Sequence, residues 1–107
     1  MATIESTQML DSLQSLYAAG FHEPFIDNAL RKIVNRQIER DEADLTRITA
    51  QLQAFEQRFE LSSLEFWQRF QAGEMADSAD FMEWNVFYKM RERIRSRLHI
   101  LRGGNGA

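Results

Sequence analysis

The residue types that most often perform catalysis or bind metals are few in this sequence and far apart. The chain has no cysteine, which excludes a thiol nucleophile, a disulfide framework, a zinc finger and an iron–sulfur centre. Its two histidines, His22 and His99, have no partner at the helical spacing of a metal-binding pair. No glycine-rich phosphate loop or nucleophile elbow is present. We therefore expect no enzymatic activity, no cofactor and no metal site.

An acidic segment carries the carboxylates Glu74, Asp77 and Asp80. The alternating ligands, central glycine and terminal glutamate of a calcium-binding loop are missing there. Helix capping explains the two aspartates: Asp80 with Glu83 matches a capping box, and Ser78 is a competing N-cap.

Nine aromatic residues lie close together in the second half of the chain. They are Phe55, Phe59, Phe66, Trp67, Phe70, Phe81, Trp84, Phe87 and Tyr88. Large rings at helical spacing fill a core, but neighbours in sequence diverge by about 100° around a helix, so both cannot point inward. We predict that Trp67 and Tyr88 lie at a rim or in an interface with a partner, where Trp and Tyr are enriched. The alternative is that Trp67 and Tyr88 only pack at the rim of the amphipathic helices and contact no partner.

A basic segment follows the aromatic residues. On a helix its charges form two stripes beside an apolar seam, Lys89, Arg93 and Arg97 on one flank and Arg91, Arg95 and Arg102 on the other. One interpretation is structural: the arginine stems cover apolar surface and the heads pair with Asp41, Glu42 and Asp44, or with the acids of residues 74–83. The other interpretations are a contact with a protein partner and a nucleic-acid surface.

The length of 107 residues and a 44% hydrophobic composition predict a single domain, 1–107. The net charge of −3 argues against a uniformly basic nucleic-acid binder, although residues 84–107 are basic and residues 59–83 acidic. No run approaches the roughly 18 apolar residues of a membrane span, and the N-terminus lacks the lysines and arginines of a secretory signal. We expect a cytoplasmic protein without a membrane partner.

The periodicity of the apolar residues is helical throughout, so the fold class is all-α. We predict a short N-terminal docking helix within residues 1–20 and a hairpin core over residues 24–102. The core contains a long helix from about Phe25 to Phe59, a short crossbar helix after Ser62, and a helix from about Asp80 to Leu101. The glycine-rich tail, residues 103–107, is expected to cap the last helix and then to be disordered.

The long helix has a seven-residue apolar repeat that is typical of a coiled-coil seam. Its positions include Val34, Ile38, Asp41, Leu45, Ile48 and Leu52. At 1.5 Å per residue this helix would be about 52 Å long and its antiparallel neighbour about 33 Å. The excess length favours a homodimer, in which Asp41 would set the register at a cost in stability.

Three short motifs resemble those of a group of small bacterial helical proteins. The motifs are Phe55-Glu56-Gln57-Arg58-Phe59-Glu60-Leu61-Ser62-Ser63-Leu64-Glu65-Phe66, Arg69-Phe70-Gln71-Ala72-Gly73-Glu74 and Asp80-Phe81-Met82-Glu83-Trp84. The similarity covers about residues 24–101. The group is associated with toxin–antitoxin-type gene pairs, and the resemblance implies that this small acidic chain is the antitoxin-like member. It implies binding to a partner and no catalytic residue.

These observations predict a non-enzymatic protein-binding module that binds and restrains another protein. The resemblance implies that this partner is a toxin encoded by the adjacent gene, and the acidic surfaces of the chain would attract it if it is basic. The expected contact residues are Trp67, Tyr88, Arg91 and Arg95, and the expected steering charges are Glu74, Asp77 and Asp80. Two alternatives stay open. One is an operator-binding dimer that uses the basic last helix, and the other is a structural assembly subunit.

Overall fold

The computed structural model describes residues 2–104, which form four α-helices and contain no β-strand. Helix α1 spans Ala2–Ala18, α2 spans Pro24–Phe59, α3 spans Ser63–Gln71 and α4 spans Ala79–Leu101. The predicted all-α class is confirmed. Of the predicted disordered tail, the last three residues lie outside the described residues. Gly103 has a φ of 94°, a left-handed conformation that favours glycine and ends α4 as expected.

The chain packs as two compact units, Met1–Ile33 and Val34–Ala107, whose boundary falls within α2. In the first unit, the Tyr17 hydroxyl donates a 2.7 Å hydrogen bond to Asp27, and His22 Nε2 lies 3.0 Å from the same carboxylate. The Glu23 carboxylate accepts hydrogen bonds from the first free backbone N–H groups of α2, beginning at Phe25. None of the side chains described between residues 5 and 33 is buried. This unit therefore has no closed core of its own.

Within the second unit, α2 and α4 form an antiparallel hairpin. Asp41, early in α2, pairs with Arg97, late in α4, whereas Phe59 at the end of α2 packs against Phe81 near the start of α4, with 5.0 Å between ring centroids. The predicted hairpin with α3 as a short connecting helix is confirmed.

Serine side chains cap both shorter elements of the hairpin. Ser62 Oγ accepts a hydrogen bond from the backbone N–H of Glu65, which confirms the predicted cap of α3. At the next helix, Ser78 Oγ accepts the hydrogen bond from the N–H of Phe81. Of the two capping candidates for α4, Ser78 is therefore the N-cap. Asp80 lies in the first turn, where its carboxylate pairs with Arg58 at 2.9 Å.

Trp84 is the centre of the aromatic core. Its fully buried ring stacks on Phe66 of α3, with 3.9 Å between centroids, and on Phe55 of α2, with 5.5 Å. Its indole Nε1–H donates a 2.9 Å hydrogen bond to buried Ser63. Burying three large rings together contributes several kcal/mol and fixes α3 across the end of the hairpin.

The predicted seam forms the α2 side of the hairpin contact. Ile48 and Leu52 are buried, and Val34, Ile38 and Leu45 are half-buried. Asp41 is only 1% exposed. Its two carboxylate oxygens accept hydrogen bonds from Arg97 Nε and Nη2, both at 2.7 Å, and Gln37 donates a third at 2.9 Å. The charge of Asp41 is therefore satisfied by Arg97 of the same chain, and its role in setting the register of a homodimer stays a prediction.

Candidate protein-binding site

Trp67, Tyr88 and Arg91, three of the predicted contact residues, form one cluster. Trp67 of α3 stacks on Tyr88 of α4 with 5.3 Å between ring centroids and 20° between ring planes. The Arg91 guanidinium lies over the Tyr88 ring, 5.2 Å from its centroid. The cluster thus combines aromatic stacking with a cation–π contact.

The backbone spacing explains why these side chains meet. Phe66 turns into the core beneath Trp84, so its neighbour Trp67 is directed about 100° away, along the outer face of the hairpin. Tyr88 lies one helical turn after Trp84, and Arg91 lies three residues after Tyr88 on the same face of α4. The packing of Phe66 in the core therefore positions its neighbour Trp67 toward the surface.

The sequence-adjacent aromatic pairs, Phe66–Trp67 and Phe87–Tyr88, differ in which ring is buried. In the first pair, Phe66 is buried and Trp67 is partly buried, so Trp67 is the more exposed ring, and its role in an interface stays a prediction. In the second pair the expectation is reversed, because Tyr88 is 8% exposed and Phe87 is the partly exposed ring. Tyr88 is covered by Trp67 itself. Its role at this site is therefore to support Trp67 and Arg91 from below.

A groove of about 450 Å³ opens beside the stacked rings. Its lining residues are Trp67, Tyr88, Lys89, Glu92 and Arg93, and we call it the Trp67 groove. The aromatic rings supply an apolar floor, while Lys89 and Arg93 place two cations one helical turn apart along its rim. Between residues 2 and 104, no ion pair involves Lys89 or Arg93. The lysine and arginine heads are available to a ligand.

Two hydrogen-bond donors of the cluster are buried without an acceptor. Trp67 Nε1–H and Arg91 Nε–H make no hydrogen bond to any residue that the structure describes. The nearest carboxylate oxygen to Arg91 Nε is that of Glu92, at 3.5 Å, and the same oxygen lies 3.4 Å from Arg95. The Arg91 side chain is only 14% exposed. Such unpaired buried donors are rare in folded proteins because each carries a desolvation penalty.

Arg95, the fourth predicted contact residue, lies one turn beyond Arg91 on α4 and is exposed. Its interaction with Glu92 is long, so this pair is weak. Two further arginines follow the structural interpretation. Arg97, late in α4, binds Asp41, and Arg102, which follows the last residue of α4, binds Glu42 at 2.6 Å. Asp44 instead pairs with Arg47 within α2.

The predicted steering acids are not part of the cluster. Glu74 and Asp77 are exposed in the connector before α4. Asp80 lines a different groove with Arg58 and Glu83. None of the three lines the Trp67 groove. The net charge near Trp67 is consequently positive.

Lys89, Glu92 and Arg93 were not singled out together from the sequence. Their i, i+3 and i, i+4 spacing was visible, but only the position of α3 shows that Trp67 closes a groove above them. A separate groove of about 510 Å³ between α2 and α4 is lined by apolar residues that include Ile48, Phe87 and Ile94. The seven-residue repeat placed Ile48 in the seam, and the excess length of the long helix predicted uncovered apolar surface, but the position of this groove depends on how α2 and α4 pack.

His22 lies beside Asp27 in the first unit, and His99 lies near the end of α4. Across residues 2–104 there is no group of three or more side chains suited to holding a metal ion. None of the helices in this range has the length and apolar content needed to cross a membrane. Comparison with protein-family models, with curated proteins and with solved structures yields no match.

Proposed function

We propose that this chain is a non-enzymatic protein-binding module that contacts its partner through the Trp67 cluster. The single observation that carries the proposal is the partly buried Trp67 ring, which is stacked on Tyr88 and lines a groove beside the cations Lys89 and Arg93. Tryptophan, tyrosine and arginine are the residues that dominate binding energy in protein interfaces. Because the Trp67 ring is stacked on Tyr88, little side-chain entropy would be lost on binding.

The resemblance to toxin–antitoxin-type proteins supplies the candidate partner, the product of the adjacent gene. In this proposal the chain binds and restrains that protein. Arg91 and Arg95 would contact the partner beside Trp67, and the more distant acids Glu74 and Asp77 would influence only the encounter. The homodimer is retained as a separate proposal, supported by the exposed side chains of Met82 and Val86 and by the apolar α2–α4 groove.

The proposal is tested by co-purifying the tagged chain with the product of the adjacent gene. Trp67→Ala should reduce affinity by at least about tenfold, because a central interface tryptophan is typically worth more than about 2 kcal/mol. Leu64→Ala is the matched control, since Leu64 is an exposed apolar residue on the same helix but outside the Trp67 groove. It should bind like the wild type.

Circular dichroism of both variants establishes that α3 and α4 remain folded. Equal binding by Trp67→Ala and the wild type would contradict the proposed site, whatever the identity of the partner.

Nucleic-acid binding is the second candidate, favoured by exposed cations on both flanks of α4, Lys89 and Arg93 on one and Arg95 on the other. A phosphate-binding surface would lose affinity linearly in the logarithm of salt concentration, with a slope set by the number of phosphates contacted. Binding of duplex DNA with such a slope, abolished by Lys89→Gln with Arg93→Gln, would favour this candidate over the protein-binding one.

A further inference from the structure

We infer that the Trp67 groove receives an acidic amphipathic helix, with an apolar side chain against Trp67 and carboxylates against Lys89 and Arg93. This inference rests on the proposed protein-binding function and specifies the chemistry of the partner. Its basis is the juxtaposition of an aromatic floor with cations that have no partner in the part of the chain that the structure describes.

The charge of the site selects the sign of the partner. Lys89, Arg91, Arg93 and Arg95 supply four cations within two turns of α4, and Glu92 is the only carboxylate among them. Elsewhere in the second unit, the acids opposite the basic helix are already used, Asp41 by Arg97 and Glu42 by Arg102. The excess positive charge near Trp67 is therefore left for an external anion.

The spacing of the cations points to a helix. Lys89 and Arg93 are related by i, i+4, which places their side chains about 6 Å apart along one flank of α4. Two carboxylates one turn apart on a partner helix have the same spacing. A leucine or phenylalanine between them would then face the apolar floor formed by Trp67 and Tyr88.

The buried donors are consistent with an incoming carboxylate. Trp67 Nε1–H and Arg91 Nε–H border the stacked rings and have no acceptor. A bound carboxylate that reached either atom would supply an acceptor to a donor that is otherwise buried without one. A neutral apolar partner would leave both donors unpaired.

Glu92 favours a protein over a nucleic acid at this site. Its carboxylate projects among the cations and lines the same groove. A continuous phosphate backbone passing along α4 would meet this negative charge, whereas a helix can place a neutral or basic residue opposite it. The chain as a whole also has a net charge of −3, which opposes long-range attraction of a polyanion.

The test uses a labelled, helix-forming peptide of two heptads, with leucine at the apolar positions and glutamate elsewhere, and a second peptide with glutamine in place of every glutamate. We expect the glutamate peptide to bind the full chain with a Kd below about 1 mM and the glutamine peptide at least tenfold more weakly. The double variant Lys89→Gln with Arg93→Gln should lose at least tenfold for the glutamate peptide. Arg36→Gln, an exposed charge on α2, is the matched control and should bind normally.

The outcomes separate this inference from the proposed function. If the product of the adjacent gene binds in a Trp67-dependent manner but both peptides bind equally, or not at all, the acidic partner is wrong and the protein-binding site stands. If the glutamate peptide binds equally well to Trp67→Ala, the groove is not its site and the inference is overturned. Tighter binding of a short DNA duplex than of the glutamate peptide, with the same dependence on Lys89 and Arg93, would also overturn it.

Discussion

At the scale of single residues, the ion pair of Asp41 and Arg97 is the most informative contact in the hairpin. Asp41 is 1% exposed, whereas the Arg97 side chain is 49% exposed. The two charges therefore depend on each other unequally. Without Arg97, a carboxylate would be left in the seam with only Gln37 as donor, but without Asp41 the guanidinium would still reach water.

This asymmetry predicts the order of two substitutions. Arg97→Ala should lower the free energy of unfolding by about 2–3 kcal/mol, because it leaves a buried charge without its partner. Asp41→Leu removes the charge itself and extends the apolar seam, so it should stay within about 1 kcal/mol of the wild type or be more stable. Urea unfolding of both variants checks the order.

Arg95→Ala, whose partner Glu92 is exposed to solvent on the same helix, is the control and should change stability by less than about 0.5 kcal/mol. A larger loss for Asp41→Leu than for Arg97→Ala would contradict this account.

The same pair makes stability depend on pH in a defined direction. Hydrogen bonds from Arg97 lower the pKa of Asp41, and they outweigh the opposing effect of burial. A carboxyl group with a lower pKa in the folded state stabilises the fold above its ordinary pKa of about 3.9 and loses that contribution as the pH falls through the folded-state value. The wild type should therefore lose more stability than Asp41→Asn between pH 7 and pH 2.5. Thermal unfolding at both pH values measures the difference, and equal losses would show that Asp41 is not the group responsible.

At the scale of the elements, α3 depends on a polar anchor as well as on aromatic packing. Buried Ser63 accepts the indole hydrogen bond of Trp84, and its own backbone N–H donates to the Glu56 carboxylate at 2.8 Å. Ser63 thus ties α3 to both arms of the hairpin. Because α3 carries Trp67, this anchor also fixes one wall of the Trp67 groove.

Loss of the Ser63 anchor should lower the free energy of unfolding and, because α3 carries Trp67, should also weaken binding at the Trp67 groove. Ser63→Ala leaves the Trp84 Nε1–H buried without an acceptor, which should cost about 1–3 kcal/mol in the free energy of unfolding. Ser62→Ala removes only the N-cap of the same helix and should cost about 1 kcal/mol. Chemical unfolding distinguishes them, and tryptophan fluorescence should change more for Ser63→Ala. A smaller loss for Ser63→Ala than for Ser62→Ala would show that the buried hydrogen bond contributes little.

The elements themselves were predictable from the sequence because their signals are local. The seven-residue repeat identifies α2, and the Ser62 cap and Gly103 mark where α3 begins and α4 ends. The partners of individual side chains were not predictable to the same extent. Whether Tyr88 or Phe87 points inward depends on where α3 crosses the hairpin, and periodicity within α4 contains no information about that position. Predicting the Asp41–Arg97 pair would have required the register of the hairpin. The sequence leaves that register undetermined, because several acidic residues of α2 could lie opposite the basic residues of α4.

At the scale of the whole molecule, the two compact units differ in how much of their apolar surface they bury. The second unit has a closed aromatic core around Trp84, whereas the first exposes Met9, Leu10 and Phe25. Large exposed apolar side chains in a small protein commonly mark surfaces that contact other molecules. The homodimer and the toxin-like partner both remain predictions, and both are in keeping with a chain that binds other proteins.

Binding of a partner at Trp67 can be tested directly, because the chain has two tryptophans and the second serves as an internal control. The indole ¹H–¹⁵N signals of Trp67 and Trp84 are followed by NMR while the product of the adjacent gene is added. We expect the Trp67 signal to shift or broaden in proportion to binding, and the signal of Trp84, which is buried and bonded to Ser63, to stay nearly unchanged. Saturated binding without any change at Trp67 would contradict the account.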